Sequence, residues 1–163
     1  MSAANPQARA LAFLRIAVGT IFLIFAEYKL TSTRFIWGGG MAGYIGHFVE
    51  HGCYPFMHSF LKNIVQPHTV VFGIVVSVGE LLIGLGLVTG VLLRWASLGG
   101  LLMMLLYLFS ANYPGPHAAF WQYFGASLEH SVFALCFIAF LIGSPGAAWS
   151  LRPGKKDYGK SRR

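Results

Sequence analysis

VVFGIVVSVGELLIGLGLV, residues 70 to 88, is an unbroken apolar run with one ionisable side chain, Glu80, at its middle. Spanning the roughly 30 Å hydrocarbon core of a bilayer takes about 20 helical residues, and this run has that length. A carboxylate at that depth costs on the order of 2.5–3.5 kcal/mol or more. The cost predicts a partner for Glu80, and the search for that partner organises the rest of the chain.

Three further stretches have spanning length, so the expected spans are 10–28, 70–88, 91–111 and 123–143. Thr89-Gly90 is the only break between the second and third, which makes them a helical hairpin. Helices are required because lone strands cannot satisfy their backbone groups in lipid. Composition agrees: of 163 residues 56% are hydrophobic and 10% charged, against about 25% charged in a soluble domain. The expectation is an all-α membrane protein, a single domain over 1–163, built as a four-transmembrane-helix bundle. The apolar stretch Leu11–Phe25 runs into Glu27 and Lys29 rather than a small-residue cleavage site, so it reads as a retained first span.

Half of the twelve Lys and Arg fall in the tail 150–163, and Arg9, Arg15 and Arg94 fall on the same side. Positive charge marks the cytoplasmic side, so both termini are expected in the cytoplasm of an inner or plasma membrane. The basic tail predicts contact with anionic lipids. The net charge of +7 is concentrated there and comes without a nucleic-acid motif, so nucleic acid is not an expected partner. The first connection, 29–69, is too apolar for a disordered loop. Met41–Glu50 and Pro55–Val65 read as short interfacial helices capping the bundle outside, with Pro55 placed at a first helical turn. Cys53 and Cys136 lie in different settings and form no CxxC.

The motif Arg15-x3-Gly19-x2-Phe22-x3-Ala26-x2-Lys29-Leu30 resembles the opening of DoxX-type (DoxX/DoxD-like) integral membrane proteins. Glu80-x3-Gly84-x2-Leu87-x2-Gly90-x3-Arg94 resembles that family's central signature, with Ala26 standing where a glycine is expected. The resemblance implies four spans with a long first loop. It also implies a link to redox or thiol-stress complexes, one relative being a membrane subunit of a thiosulfate:quinone oxidoreductase.

Two polar constellations follow. Arg15, Glu80 and Arg94 form an expected charge network near the cytoplasmic side, with guanidinium forks suited to a carboxylate. Glu27, Lys29, Glu129 and His130 lie near the outer ends of the first and fourth spans and form a candidate quinone or small-molecule site. All six histidines fall on the expected outer side. His47 and His51, four residues apart in an H-x-x-E-H pattern, are the one pair placed to hold a metal, although the sequence does not favour a metal. No cofactor motif is present, and quinone is the ligand the resemblance suggests. The expected role is a membrane subunit of an electron-transfer or respiratory complex, with protein partners, acting by anchoring rather than through its own cofactor. Two rivals are a stand-alone proton-coupled transporter using Glu80 and a pure scaffold.

Overall fold

The computed structural model describes residues 6–125, 128–143 and 148–151. The basic tail from Arg152 onward lies outside these residues. Every regular element among them is helical: α1 (Pro6–Thr31), α2 (Thr33–Ile36), α3 (Gly40–His47), α4 (Pro55–Phe60), α5 (Thr69–Thr89), α6 (Leu93–Ala111) and α7 (Glu129–Ile142).

Three helical runs are long and apolar enough to cross a membrane: Pro6–Thr31, the continuous Pro55–Thr89, and Leu93–Ala111. The expected fourth span, 123–143, is divided. Phe120–Phe124 is a 3-10 turn ended by Gly125 at φ 96°, and helix α7 begins only at Glu129. At 14 residues, α7 is about 21 Å long, short of the hydrocarbon thickness. It nevertheless packs along α6 and reaches α1.

The α5–α6 hairpin turns at Gly90, whose φ of 73° suits glycine and whose N–H closes onto the Gly86 carbonyl at 3.0 Å. Antiparallel α1 and α5 make the broadest helix contact and α6 with α7 the next. Each helix contributes a stripe at 3.6-residue spacing to one core. Val18 and Phe22, Ile83 and Leu87, and Met104 and Phe137 are its buried members. Phe22 meets Phe137 edge to face at 5.4 Å. Opposite faces stay bare: Ile24, Val75, Leu82, Leu102 and Leu135 are all more than half exposed, as lipid-facing residues should be.

The first connection forms a cap with a core of its own, built by Phe35, Ile36, Met41, Ile45, Met57 and Leu61. Two π-helical turns, Phe48–Gly52 and Leu61–Val65, shape it. Pro67 accounts for the second. It has no N–H for the carbonyl four residues earlier, and the chain passes through a π turn and a 3-10 turn before α5 starts. The cap also closes the end of α6. Tyr54 N–H donates to the Phe109 carbonyl (2.9 Å), and Tyr113 N–H donates to Gly52 O (2.8 Å), satisfying backbone groups that a helix end leaves open. Tyr54 Oη donates to Tyr123 O at 2.7 Å and so ties the cap to the turn before α7. Tyr54→Phe should therefore cost about 1 kcal/mol, read as a small drop in melting temperature with helix content unchanged.

Candidate functional site

On each of four helices the buried stripe carries a polar residue toward the cap side of the bundle. On α1 the stripe Arg15, Gly19, Phe22, Ala26 continues to Lys29. On α5, Gly73, Ser77, Glu80, Gly84 and Leu87 share the inner face. On α6, Ser97, Gly100 and Met104 lead to Tyr107. On α7, Phe137 and Ala134 lead back to His130. Four helices thus place four polar groups at one level of the bundle.

They form a connected chain. Lys29 Nζ donates to Glu80 Oε1 at 2.5 Å, and Tyr107 Oη donates to the same oxygen at 2.8 Å. The Tyr107 ring stands edge-on to the His130 ring, centroids 5.6 Å apart. His130 Nδ1 in turn donates to Asn112 Oδ1 at 2.7 Å. Lys29 Nζ also lies 5.4 Å from the Phe35 ring and 5.5 Å from the Tyr107 ring, a cation–π setting that offsets part of its desolvation. The Glu80 side chain is 4% exposed and that of Lys29 17%. Glu80 Oε2 is buried and has no hydrogen-bond partner among the described residues, so the site offers one strong acceptor.

The match to the DoxX family model runs over residues 10–113, from the first turns of α1 to just beyond α6. The chain belongs to the DoxX family. Lys29, Glu80, Tyr107 and Asn112 of this DoxX protein all fall inside the matched region, and His130 falls outside it. No curated protein and no solved structure matches the chain.

The expected network of Arg15, Glu80 and Arg94 does not form. Arg15 sits at the level of Gly90, ten residues from Glu80 along α5, or about 15 Å. Helical side chains tilt toward the N-terminus of their own helix. That tilt carries Arg15 toward the hairpin and away from Glu80, while at the other end of α1 it carries Lys29 down onto Glu80. Arg94 is exposed at the start of α6.

The candidate set Glu27, Lys29, Glu129 and His130 is also divided. Lys29 and His130 face the bundle; Glu27 and Glu129 are exposed. Neighbouring helical residues point about 100° apart, so each acid lies off its helix's buried stripe. Glu27 is met by the Thr31 hydroxyl, which donates to its carbonyl at 2.8 Å. Tyr107 and Asn112 are the members that sequence reasoning passed over. Tyr107 was available in the pattern, since it continues the Gly100–Met104 stripe by three residues.

Of the six histidines only His130 joins the chain. His47 and His51 stack at 5.4 Å in the cap, with Glu50 Oε2 3.7 Å from His51 Nδ1. Among the described residues no group of three or more His, Cys, Asp or Glu is placed to hold a metal. An open groove beside this pair is lined by Glu50, His51, Cys53 and His58. Burial pushes the Cys53 thiol up, away from the thiolate that would make it reactive.

Proposed function

We propose that this DoxX-family protein is the membrane-embedded subunit of an electron-transfer or respiratory complex. It anchors a partner that carries the redox centre, and the polar chain from Lys29 to Asn112 receives a quinone headgroup. The observation that carries the reading is the chain itself. A carboxylate with one unused oxygen, a phenol and an imidazole lie together inside an apolar bundle, held by all four of its helices. Quinone oxygens need hydrogen-bond donors and, on reduction or oxidation, groups that pass protons. Tyrosine, histidine and carboxylate are such groups. Lys29, whose ammonium has further N–H groups beyond the one given to Glu80, suits the donor role, and Glu80 Oε2 suits the acceptor role.

The test is native mass spectrometry of the protein extracted in mild detergent, with quinone analysis of the same sample. A stoichiometric redox partner and co-purifying quinone are expected. Tyr107→Phe removes the hydrogen bond that orients the Glu80 carboxylate; it should leave assembly intact and reduce quinone retention roughly tenfold. A lone protein without quinone would overturn the reading. The bare Glu80 Oε2 also suits a proton-coupled transporter. Substrate uptake abolished by Glu80→Gln in proteoliposomes, with assembly unchanged, would favour that function instead.

A further inference from the structure

Arg15 is fully buried, and it has no acidic partner among the described residues. Its Nη2 donates to the Trp149 carbonyl at 2.8 Å, while Nε and Nη1 have no hydrogen-bond partner among the described residues. A guanidinium presents five donors in a fixed fork, and an unneutralised one inside a bundle is among the most expensive groups a protein can bury. A buried guanidinium without a carboxylate is suited to an anionic ligand.

The surroundings match that role. The acceptor that Arg15 meets among the described residues is a neutral carbonyl on a short strap, residues 148–151. The strap is fixed to the hairpin by Leu151 N–H donating to Thr89 O (3.0 Å) and by Ser150 Oγ donating to Gly90 O (3.3 Å). Gly90 supplies the space: a Cβ there would lie 2.5 Å from Arg15 Nη1 and 2.6 Å from Ser150 Oγ. Around this point Trp95 is 71% exposed and Trp149 59%, and Arg94 is exposed beside them. Exposed tryptophans with arginine mark the level of lipid headgroups.

We infer that Arg15 is the floor of a binding site for the phosphate of an acidic phospholipid, and that residues 148–151 are its lid. The Trp149 carbonyl occupies one donor while the lid is closed. A phosphate would take the place of that carbonyl on Nη2 and bind through Nη2 together with Nε or Nη1, in the bidentate geometry an arginine fork favours. The lipid's acyl chains would lie against Val91 and Leu92, both exposed at the hairpin.

The experiment measures retention of phosphatidylglycerol on the delipidated, detergent-solubilised full chain by native mass spectrometry, with phosphatidylcholine as the zwitterionic comparison. Wild type is expected to keep phosphatidylglycerol and not phosphatidylcholine. Arg15→Gln should weaken retention roughly tenfold or more. Leu151→Pro removes the N–H that pins the lid and should strengthen retention, which gives a reading even if Arg15→Gln does not fold. Arg94→Gln is the exposed control for general attraction to the basic end. Equal retention in wild type, Arg15→Gln and Leu151→Pro would overturn the site, as would an Arg94→Gln loss as large as that of Arg15→Gln. Displacement of the lipid by millimolar inorganic phosphate would overturn the lipid as occupant and assign the fork to a free anion.

Discussion

Lys29→Met is expected to cost the solubilised protein about 3–5 kcal/mol of stability, whereas Glu80→Gln should cost about 1–2 kcal/mol. The two residues form one ion pair, yet their burial differs. Removing Lys29 leaves the Glu80 carboxylate inside the bundle with Tyr107 as its one remaining donor among the described residues. Removing the carboxylate charge leaves Lys29, which already reaches partial exposure at the end of α1 and can extend its ammonium toward the interface. Glutamine also keeps an acceptor for Tyr107. The double variant Lys29→Met/Glu80→Gln should recover most of the loss of Lys29→Met, because no unpaired charge remains. Thermal unfolding of the four proteins in one detergent is the measurement. Equal losses for the two single variants, or a double variant no better than Lys29→Met, would mean that the pair is not the lock that holds α1 to α5.

The sequence makes the need for such a lock plain but misassigns its partner. Glu80 in an apolar run demands a cation, and four basic residues, Arg9, Arg15, Lys29 and Arg94, lie on α1 and α6. The choice among them is made by side-chain direction. All α1 side chains lean toward Pro6, so the basic residue nearest the cap leans inward and the one nearest the hairpin leans outward. Depth estimates that treat a long arginine as free to point either way miss this. The same reasoning separates His130 from Glu129, because only one of two adjacent residues can continue the stripe through Ala134 and Phe137. Tyr107 and Asn112 carry no local mark of this role in the sequence beyond the stripe that Tyr107 continues. Their role depends on α6 and α7 closing together, which the sequence does not encode locally. The cap was legible as two helices, but its π turns follow from Pro67 and from contacts with α6 that are distant in the chain. The short α7 was not legible, since the residues before Glu129 are as apolar and aromatic as a span.

The glycines mark a close approach of α1 to α5, and with it the second large effect. Gly19→Val should cost more than about 3 kcal/mol and markedly lower the yield of folded protein. Overpacking typically costs about 1–3 kcal/mol where neighbours can yield, and here they cannot. A Cβ on Gly19 would lie 2.8 Å from Leu87 Cβ and 3.0 Å from the backbone nitrogen of Val88, while Gly84 faces back onto the Gly19 carbonyl at 3.0 Å from its own built Cβ. These contacts are made by backbone and fully buried Leu87 rather than by the ends of flexible side chains. Small residues at such a seam allow the van der Waals packing that drives helix association in lipid. Opening it would also separate Lys29 from Glu80, because both lie on the same α1–α5 contact, so Gly19→Val should lose the polar chain along with the packing. Gly43→Ala is the internal comparison: a Cβ there meets nothing within 4 Å, and the helical α3 should gain up to about 1 kcal/mol. A Gly19→Val protein that melts with wild type would show that α1 and α5 can separate without loss. The ion pair would then have to bridge a wider gap than its 2.5 Å contact allows.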